Sequence, residues 1–194
     1  PDCQSIFGLA REVAASLGQP LKMPALDFTE TEVEKTGFDV TVEAPDLCPR
    51  YIAHYVYDVK LAPSPAWMRR RLALVGNNSI SNIVDITNYI MRELGQPLHA
   101  FDCDYLEGNA ICVRRAAEGE KIVTLDEKEF TLNPNNLVIC DGKKPVALAG
   151  IMGGLNSEIR DTTTEVMFES AKFARDNIRK SSRALGQSSD ASQR

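Results

Sequence analysis

Apolar residues recur every three or four positions in several parts of the chain, and this spacing predicts amphipathic helices. A glycine follows each of these stretches, which is typical of helices that end in a left-handed residue. The predicted helices and their terminating glycines are 5–17 (Gly18), 64–75 (Gly76), 79–94 (Gly95) and 173–185 (Gly186). The apolar face of the first helix comprises Ile6, Leu9, Val13 and Leu17, and that of the third comprises Ile80, Ile83, Val84, Thr87, Met91 and Leu94.

Elsewhere the apolar residues alternate with polar ones or form short apolar runs, and both patterns predict β-strands. The stretch 50–60 has apolar residues on both faces, which indicates a strand that is buried on both sides. The predicted strands are 38–45, 50–60, 110–116 and 164–171, with hairpins at 121–132 and 136–150 that turn near 126–128 and at Asp141–Gly142.

The order of these elements predicts the fold class. One helix is followed by strands, two helices, a run of strands and a final helix, which indicates an α+β fold with an antiparallel sheet or sandwich and helices outside it. The charged stretch 19–37 before Phe38 contains two prolines, Pro20 and Pro24, and its part 25–37 is interpreted as a linker. It separates residues 1–24 from a main domain at 38–194.

Composition narrows the class of protein. The chain has 194 residues, of which 43% are hydrophobic and 25% charged, as expected for one globular domain. We expect no signal peptide, since the start is helical and charged, and the sequence has no apolar run near the roughly 20 residues that span a membrane. It starts with proline and ends in a polar stretch, so we expect a piece of a longer protein.

Charge and cysteine content exclude further classes. The net charge of −5 argues against indiscriminate nucleic-acid binding. Local basic faces are still compatible with the sequence, at Arg69–Arg71 or at Arg175, Arg179, Lys180 and Arg183. The five cysteines contain no Cys-x-x-Cys pair, so we expect no zinc site and a reducing cytoplasm.

Candidate chemistry lies in three predicted loops, at 95–102, 149–157 and 186–194. His99 in the first loop is compatible with a structural hydrogen-bonding role or a functional one. The second is glycine-rich, but it matches neither a phosphate-binding P-loop nor the dinucleotide fingerprint. The third alone resembles a flexible tail. Glu169 lies in the apolar strand 164–171 and faces either solvent or, with a partner, the interior.

Five segments together resemble the β subunit of bacterial phenylalanyl-tRNA synthetases, in its editing region. They are CPRY (48–51), DITNYIMRELGQPLHAFD (85–102), AGIMGG (149–154), FESA (168–171) and SSDASQR (188–194). The resemblance implies a three-layer domain with a β-sandwich of unusual topology and flanking helices. It also implies that residues 1–24 are the tail of the preceding domain and that the editing domain is truncated at its C-terminal end.

The resemblance implies hydrolysis of tyrosine wrongly attached to tRNA(Phe), whose charged 3′ end would be the ligand. The whole family enzyme, two α and two β subunits in the cytoplasm, ligates phenylalanine to tRNA(Phe) with ATP and magnesium at sites outside this chain. We therefore expect no cofactor or metal in this chain, no membrane partner and no aminoacylation by the fragment alone.

The resemblance also implies the roles of individual residues. His99 and Ser189 match positions that act in hydrolysis, and Glu169 matches the residue that senses the tyrosine hydroxyl. Gly150, Gly153 and Ala191 match positions that line the pocket. The family usually has threonine at Ser189 and often histidine at Gln193. A non-catalytic module that positions tRNA is the main alternative, and an unrelated sugar- or nucleotide-binding domain is another.

Overall fold

The predicted helices all form in the structure, a computed structural model that describes residues 3–25, 28–29 and 37–194. The helices are α1 (Ile6–Leu17), α2 (Ala66–Leu74), α3 (Asn82–Leu94) and α4 (Arg175–Leu185). The strands are β1 (Asp39–Val42), β2 (Arg50–Val56), β3 (Leu98–Asp102), β4 (Ala110–Arg115), β5 (Lys121–Val123), β6 (Glu129–Thr131), β7 (Leu137–Cys140), β8 (Pro145–Leu148), β9 (Met152–Gly153) and β10 (Val166–Lys172).

Capping residues set the ends of α1 and α3. The Ser5 hydroxyl accepts a hydrogen bond from the backbone N–H of Gly8, and Ser81 caps α3 in the same way, two residues later than predicted. Gly95 ends α3 with a φ of +84°, a conformation that glycine adopts without steric cost. The chain then turns back along the sheet that α3 covers.

The strands form a sandwich of two main sheets. The larger sheet has the order β1-β4-β7-β8-β9 and the smaller has the order β2-β10-β3, with β5 and β6 as a separate hairpin. One core cluster joins Phe101 and Met167 of the small sheet to Ile111, Val113 and Ile139 of the large sheet. The opposite face of the small sheet packs Ala100 and Val166 against Ile83 of α3. These three layers confirm the predicted α+β class.

The prediction that residues 50–60 form a strand buried on both sides is wrong. β2 ends at Val56 and lies at the edge of the small sheet. One of its faces packs on the core through Tyr51, Ala53 and Tyr55, whereas Ile52 on the other face is 43% exposed. The apolar residues on the outer face therefore do not mark burial.

The predicted loop 95–102 is also wrong in its second half. Residues 98–102 form β3, which pairs with β10 along its whole length. The turn before β3 is tied to the same strand, since the Gln96 side-chain amide donates to the carbonyl oxygen of Ala171 over 3.1 Å. A strand therefore presents His99, which makes its direction much better defined than in a loop.

The predicted linker lies partly outside the described residues, at 26–27 and 30–36, so the domain limits stay predictions.

In α1 the predicted apolar face exists but is largely exposed. Within the described ranges, the helices all lack the length and apolar character needed to cross a membrane.

Candidate functional site

A cavity of about 870 Å³ opens beside the sandwich core. Its walls come from α3, β3, β10, the glycine-rich segment 149–154 and the last residues of the chain. This volume is in the range of small-molecule sites in proteins. The residues implied by the family resemblance all line this cavity: His99, Gly150, Gly153, Glu169, Ser189 and Ala191.

His99 and Glu169 enter the cavity side by side. They are directly opposite each other in the antiparallel pairing of β3 with β10, so their side chains lie on the same face of the sheet. On that face Phe101 and Met167 fill the core, and His99 and Glu169 follow one step further along each strand. Glu169 is therefore turned inward, with only 7% of its surface exposed.

Among the described residues, the Glu169 carboxyl has one hydrogen-bond partner, Tyr51 of β2. The Tyr51 hydroxyl donates to Glu169 Oε2 over 3.2 Å. Burial raises the pKa of Glu169 to about 8, and the hydrogen bond from Tyr51 opposes this rise. Burial also raises the pKa of Tyr51 well above its usual value, and the nearby Glu169 charge raises it further. Oε1 has no hydrogen-bond partner within the part of the chain that the structure describes.

Sequence reasoning did not identify Tyr51 as a site residue. The CPRY segment that contains it contributed to the family resemblance, but its side chain was given no role. Tyr51 is the diagonal neighbour of Glu169, because Ala53 is directly opposite Glu169 and Tyr51 is two residues away on the same face. Only the pairing of β2 with β10, more than a hundred residues apart, reveals this contact.

The His99 ring is held on two sides. Its edge-to-face contact with Phe101 has a centroid separation of 4.5 Å, and a Cβ at Gly153 would approach His99 Cε1 to 2.3 Å. Only glycine therefore allows the ring to take this position. Nε2 is buried and without a hydrogen-bond partner among the described residues. Burial lowers the pKa of His99 to about 4, so the imidazole is neutral at pH 7.

The glycine-rich segment contributes shape more than free amide groups. A Cβ at Gly150, which has a φ of +65°, would lie 3.0 Å from Phe173 Cδ2. Two amides of this segment are already paired with backbone carbonyl oxygens. The N–H of Ile151 donates to the carbonyl of Leu148, and that of Gly154 donates to the carbonyl of Val146.

The end of the chain is folded over the cavity instead of forming the flexible tail that its composition alone suggests. The Gln187 amide donates to Asp126 over 3.1 Å, and Asp190 forms an ion pair with Arg92 of α3. Between these points the Ser189 hydroxyl donates to the carbonyl oxygen of Ile151 over 2.7 Å. The segment 187–194 thus closes one side of the cavity, and Ala191 faces into it.

The remaining wall is the apolar face of α3. Ile80, Val84, Thr87 and Met91 all line the cavity, so part of the predicted face borders open space instead of the core. Among the described residues no group of three His, Cys, Asp or Glu side chains is placed to hold a metal ion. Gln193, the second departure from the family pattern, is exposed and not part of the lining.

Comparison with known proteins gives matches over the whole chain. A family model described as the B3/4 domain matches residues 47–194. The chain is 56% identical over 191 residues to the phenylalanine–tRNA ligase beta subunit of Syntrophus aciditrophicus, covering 98% of this chain and 24% of that protein. The beta subunit of Moorella thermoacetica is 54% identical over 194 residues, which is all of this chain and 24% of that protein. The chain thus spans about a quarter of the length of these relatives.

A solved structure has a similar fold. It is an N-terminal fragment of the phenylalanyl-tRNA synthetase beta subunit from Pyrococcus horikoshii, with a TM-score of 0.56 and 16% identity. The match covers 97% of this chain and 59% of that fragment. Since the family model spans most of the chain, the protein belongs to the B3/4 domain family and is similar along its whole length to phenylalanine–tRNA ligase beta subunits.

Proposed function

We propose that this chain is the proofreading region of a phenylalanine–tRNA ligase β subunit and hydrolyses tyrosine wrongly attached to tRNA(Phe). The observation that supports this most directly is the position of Glu169. Its carboxyl is buried at an otherwise largely apolar cavity. One oxygen accepts a hydrogen bond from Tyr51, and the other has no partner among residues 3–25, 28–29 and 37–194. A phenol hydroxyl is the group that this second oxygen suits.

The physical basis of discrimination is an asymmetry between two pockets. A synthetic pocket that accepts phenylalanine cannot strongly reject an isostere with one added hydroxyl. A pocket with a buried carboxyl favours tyrosine, because the phenol forms a hydrogen bond there. Phenylalanine removes water from the same carboxyl and leaves it unpaired, which is costly in a buried site.

Hydrolysis of an aminoacyl ester needs a positioned water more than a strong nucleophile, since the ester is already activated. The water oxygen bonds to the ester carbonyl carbon, the bond to the ribose oxygen breaks, and that oxygen takes up a proton. His99 suits the positioning role because its neutral ring has a buried nitrogen that no described residue hydrogen-bonds. Its lowered pKa argues against a role as a cation at pH 7.

Ser189 and Ala191 act through the closing segment in this proposal. The Ser189 hydroxyl donates to the Ile151 carbonyl oxygen and accepts from the backbone N–H of Ser192, so it holds the wall in place. Ala191 leaves space that a larger side chain would fill. Gly150 and Gly153 have no side chain to take up space in the cavity, and the missing Cβ of Gly153 leaves room for the His99 ring.

The whole enzyme extends well beyond this chain. We propose an α subunit as the partner, in a cytoplasmic assembly of two α and two β subunits that attaches phenylalanine to tRNA(Phe). ATP and magnesium would act at sites outside this chain, and the ligand here is the tyrosine-bearing 3′ end of the tRNA. The chain alone would not carry out aminoacylation.

The test is to block the cavity in the full enzyme. Ala191→Trp fills the pocket and is expected to abolish deacylation of tyrosyl-tRNA(Phe) while phenylalanine charging stays near normal. Gln193→Trp is the matched control, because it adds the same bulk two residues away at an exposed position that does not line the cavity.

Two outcomes would contradict the proposal. If Ala191→Trp still releases tyrosine from tRNA(Phe) at the parent rate, Ala191 does not lie at the pocket that the substrate uses. Failure of the unaltered enzyme to release tyrosine would favour the alternative, a non-catalytic module that positions tRNA.

A further inference from the structure

The exposed face of α4 carries a row of arginines that begins at the cavity. Arg175 lines the cavity, and Arg179 and Arg183 follow at intervals of four residues, so all three lie along the solvent side of the helix. We refer to Arg175, Arg179 and Arg183 as the α4 ridge. It extends about 12 Å, at about 1.5 Å of helix rise per residue. Ile178 and Ser181 on the opposite side are buried, which fixes the orientation of the helix.

The ridge side chains have no partner among the described residues. None of them forms a side-chain hydrogen bond or ion pair, and neither does exposed Lys172, which lines the cavity just before α4. Several other cations of the chain are paired, as in Arg92–Asp190, Arg114–Glu120, Arg115–Asp46, Lys121–Glu129 and Lys144–Glu107. Within α4 the only acidic residue is Asp176. A row of unpaired cations therefore stands on a chain whose net charge is −5.

We infer that the α4 ridge, with Lys172, binds the phosphates of the RNA strand whose 3′ end enters the cavity. This inference rests on the proposed function, since it concerns how the same substrate approaches the same site. The charge of the ridge is complementary to a phosphate backbone, and arginine binds phosphate oxygens through a planar fork of N–H donors. The ridge starts at the cavity mouth, so a strand bound along it has its end at the pocket. It makes no contact with bases and would not read sequence.

The test removes two ridge charges that do not line the cavity. In the full enzyme, Arg179→Gln/Arg183→Gln is compared with Arg69→Gln/Arg70→Gln, which removes the same charge from the exposed face of α2, away from the cavity. The readout is kcat/KM for tyrosyl-tRNA(Phe) divided by kcat/KM for tyrosyl-adenosine, an ester without phosphates.

The slope of log kcat/KM against log salt is negative for a strand bound through phosphates. Loss of two phosphate contacts to a single strand should make it less negative by about 1.4, since each contact contributes about 0.7. At 0.1 M salt, relative to 1 M salt where this contribution vanishes, the change corresponds to a fall of roughly 25-fold in the ratio for the ridge variant. The α2 variant should keep the parent ratio and slope. An unchanged ratio in the ridge variant, or an equal fall in both variants, would overturn the inference. Loss of assembly with the α subunit in the ridge variant would identify a protein interface instead and would also overturn it.

A second measurement is independent of hydrolysis. A tRNA(Phe) with 4-thiouridine beside its 3′ terminus is irradiated with the full enzyme, and crosslinked peptides are mapped. A crosslink to residues 172–185 that the ridge variant loses would support the ridge even in an enzyme that releases no tyrosine. Absence of that crosslink from the unaltered enzyme would overturn the ridge inference while tyrosine release, if present, would still support the proposed function.

Discussion

Removal of the Tyr51 hydroxyl tests how Glu169 is held. Tyr51→Phe keeps the ring that packs against the core and deletes only the donor that lies 3.2 Å from Glu169 Oε2. This hydrogen bond favours the charged carboxylate, so its loss raises the pKa of Glu169 further above the value of about 8 that burial produces. A hydrogen bond to a charged group contributes about 1.5–3 kcal/mol, and its length here suggests the lower limit. Since about 1.4 kcal/mol corresponds to one pH unit, the midpoint should rise by about one unit.

The assay is the ratio of kcat/KM for deacylation of tyrosyl-tRNA(Phe) over phenylalanyl-tRNA(Phe), measured across pH 6–9. The ratio reports the free enzyme and cancels the general effect of pH on ester hydrolysis. In the parent enzyme the ratio should increase as pH rises through about 8, because the ionised carboxylate binds the phenol more strongly and rejects phenylalanine more strongly. In Tyr51→Phe the ratio should fall by up to about tenfold at pH 7, because a tenfold smaller fraction of the carboxyl is ionised while the neutral carboxyl still accepts a hydrogen bond from the phenol. It should recover at the upper end of the pH range.

Glu169→Gln provides the control for this experiment, because its amide does not ionise and its ratio should not change with pH. A Tyr51→Phe enzyme with the parent midpoint would refute the role given to the hydroxyl. A parent enzyme whose ratio is flat with pH would refute the assignment of the titration to Glu169. A simply destabilised protein would lose activity at every pH without a shift of the midpoint.

Two further changes concern the His99 side of the cavity. His99→Ala should slow tyrosyl-tRNA deacylation by roughly 10- to 1000-fold, the range from a lost positioning contact to lost acid–base help, in a protein that still shows a cooperative thermal transition. Unfolding of this variant would point to a structural role for His99. Gly153→Ala should slow the same reaction, because its Cβ would lie 2.3 Å from His99 Cε1. If Gly153 acts through His99, the double variant should be no slower than His99→Ala, whereas additive losses would show that the two act separately.

Much of the fold follows from local sequence signals, but the site depends on pairings between distant strands. The helix ends are set by Ser5, Gly18 and Gly95, whose conformations depend on their own chemistry and immediate neighbours. The orientation of Glu169 is different, because both faces of β10 are covered. Val166 faces the α3 layer and Met167 faces the sandwich, so alternation in the sequence does not distinguish the inside from the outside.

Contacts with distant parts of the chain also explain why the sequence predicted neither strand β3 nor the ordered segment after Gly186. LHAFD has no apolar alternation, since it contains both His99 and Asp102, and it becomes a strand by pairing with β10. The small polar residues after Gly186 have no core of their own, and they are ordered by contacts with Asp126, Ile151 and Arg92. The family resemblance pointed to residues that line the cavity where local patterns did not, but it did not point to the hydrogen bond between Tyr51 and Glu169.

The most direct test of the account is the selectivity of an enzyme that lacks the buried carboxyl. The measurement is the ratio of deacylation rates for tyrosyl- and phenylalanyl-tRNA(Phe) in the full enzyme, in Glu169→Ala and in Glu169→Gln. Loss of the carboxyl removes both the bond to tyrosine and the penalty for phenylalanine, so the ratio in Glu169→Ala should fall at least about tenfold, which corresponds to about 1.4 kcal/mol. Glu169→Gln should keep part of the ratio, because its amide oxygen still accepts a hydrogen bond. An unchanged ratio in Glu169→Ala would contradict the proposal that this carboxyl senses tyrosine.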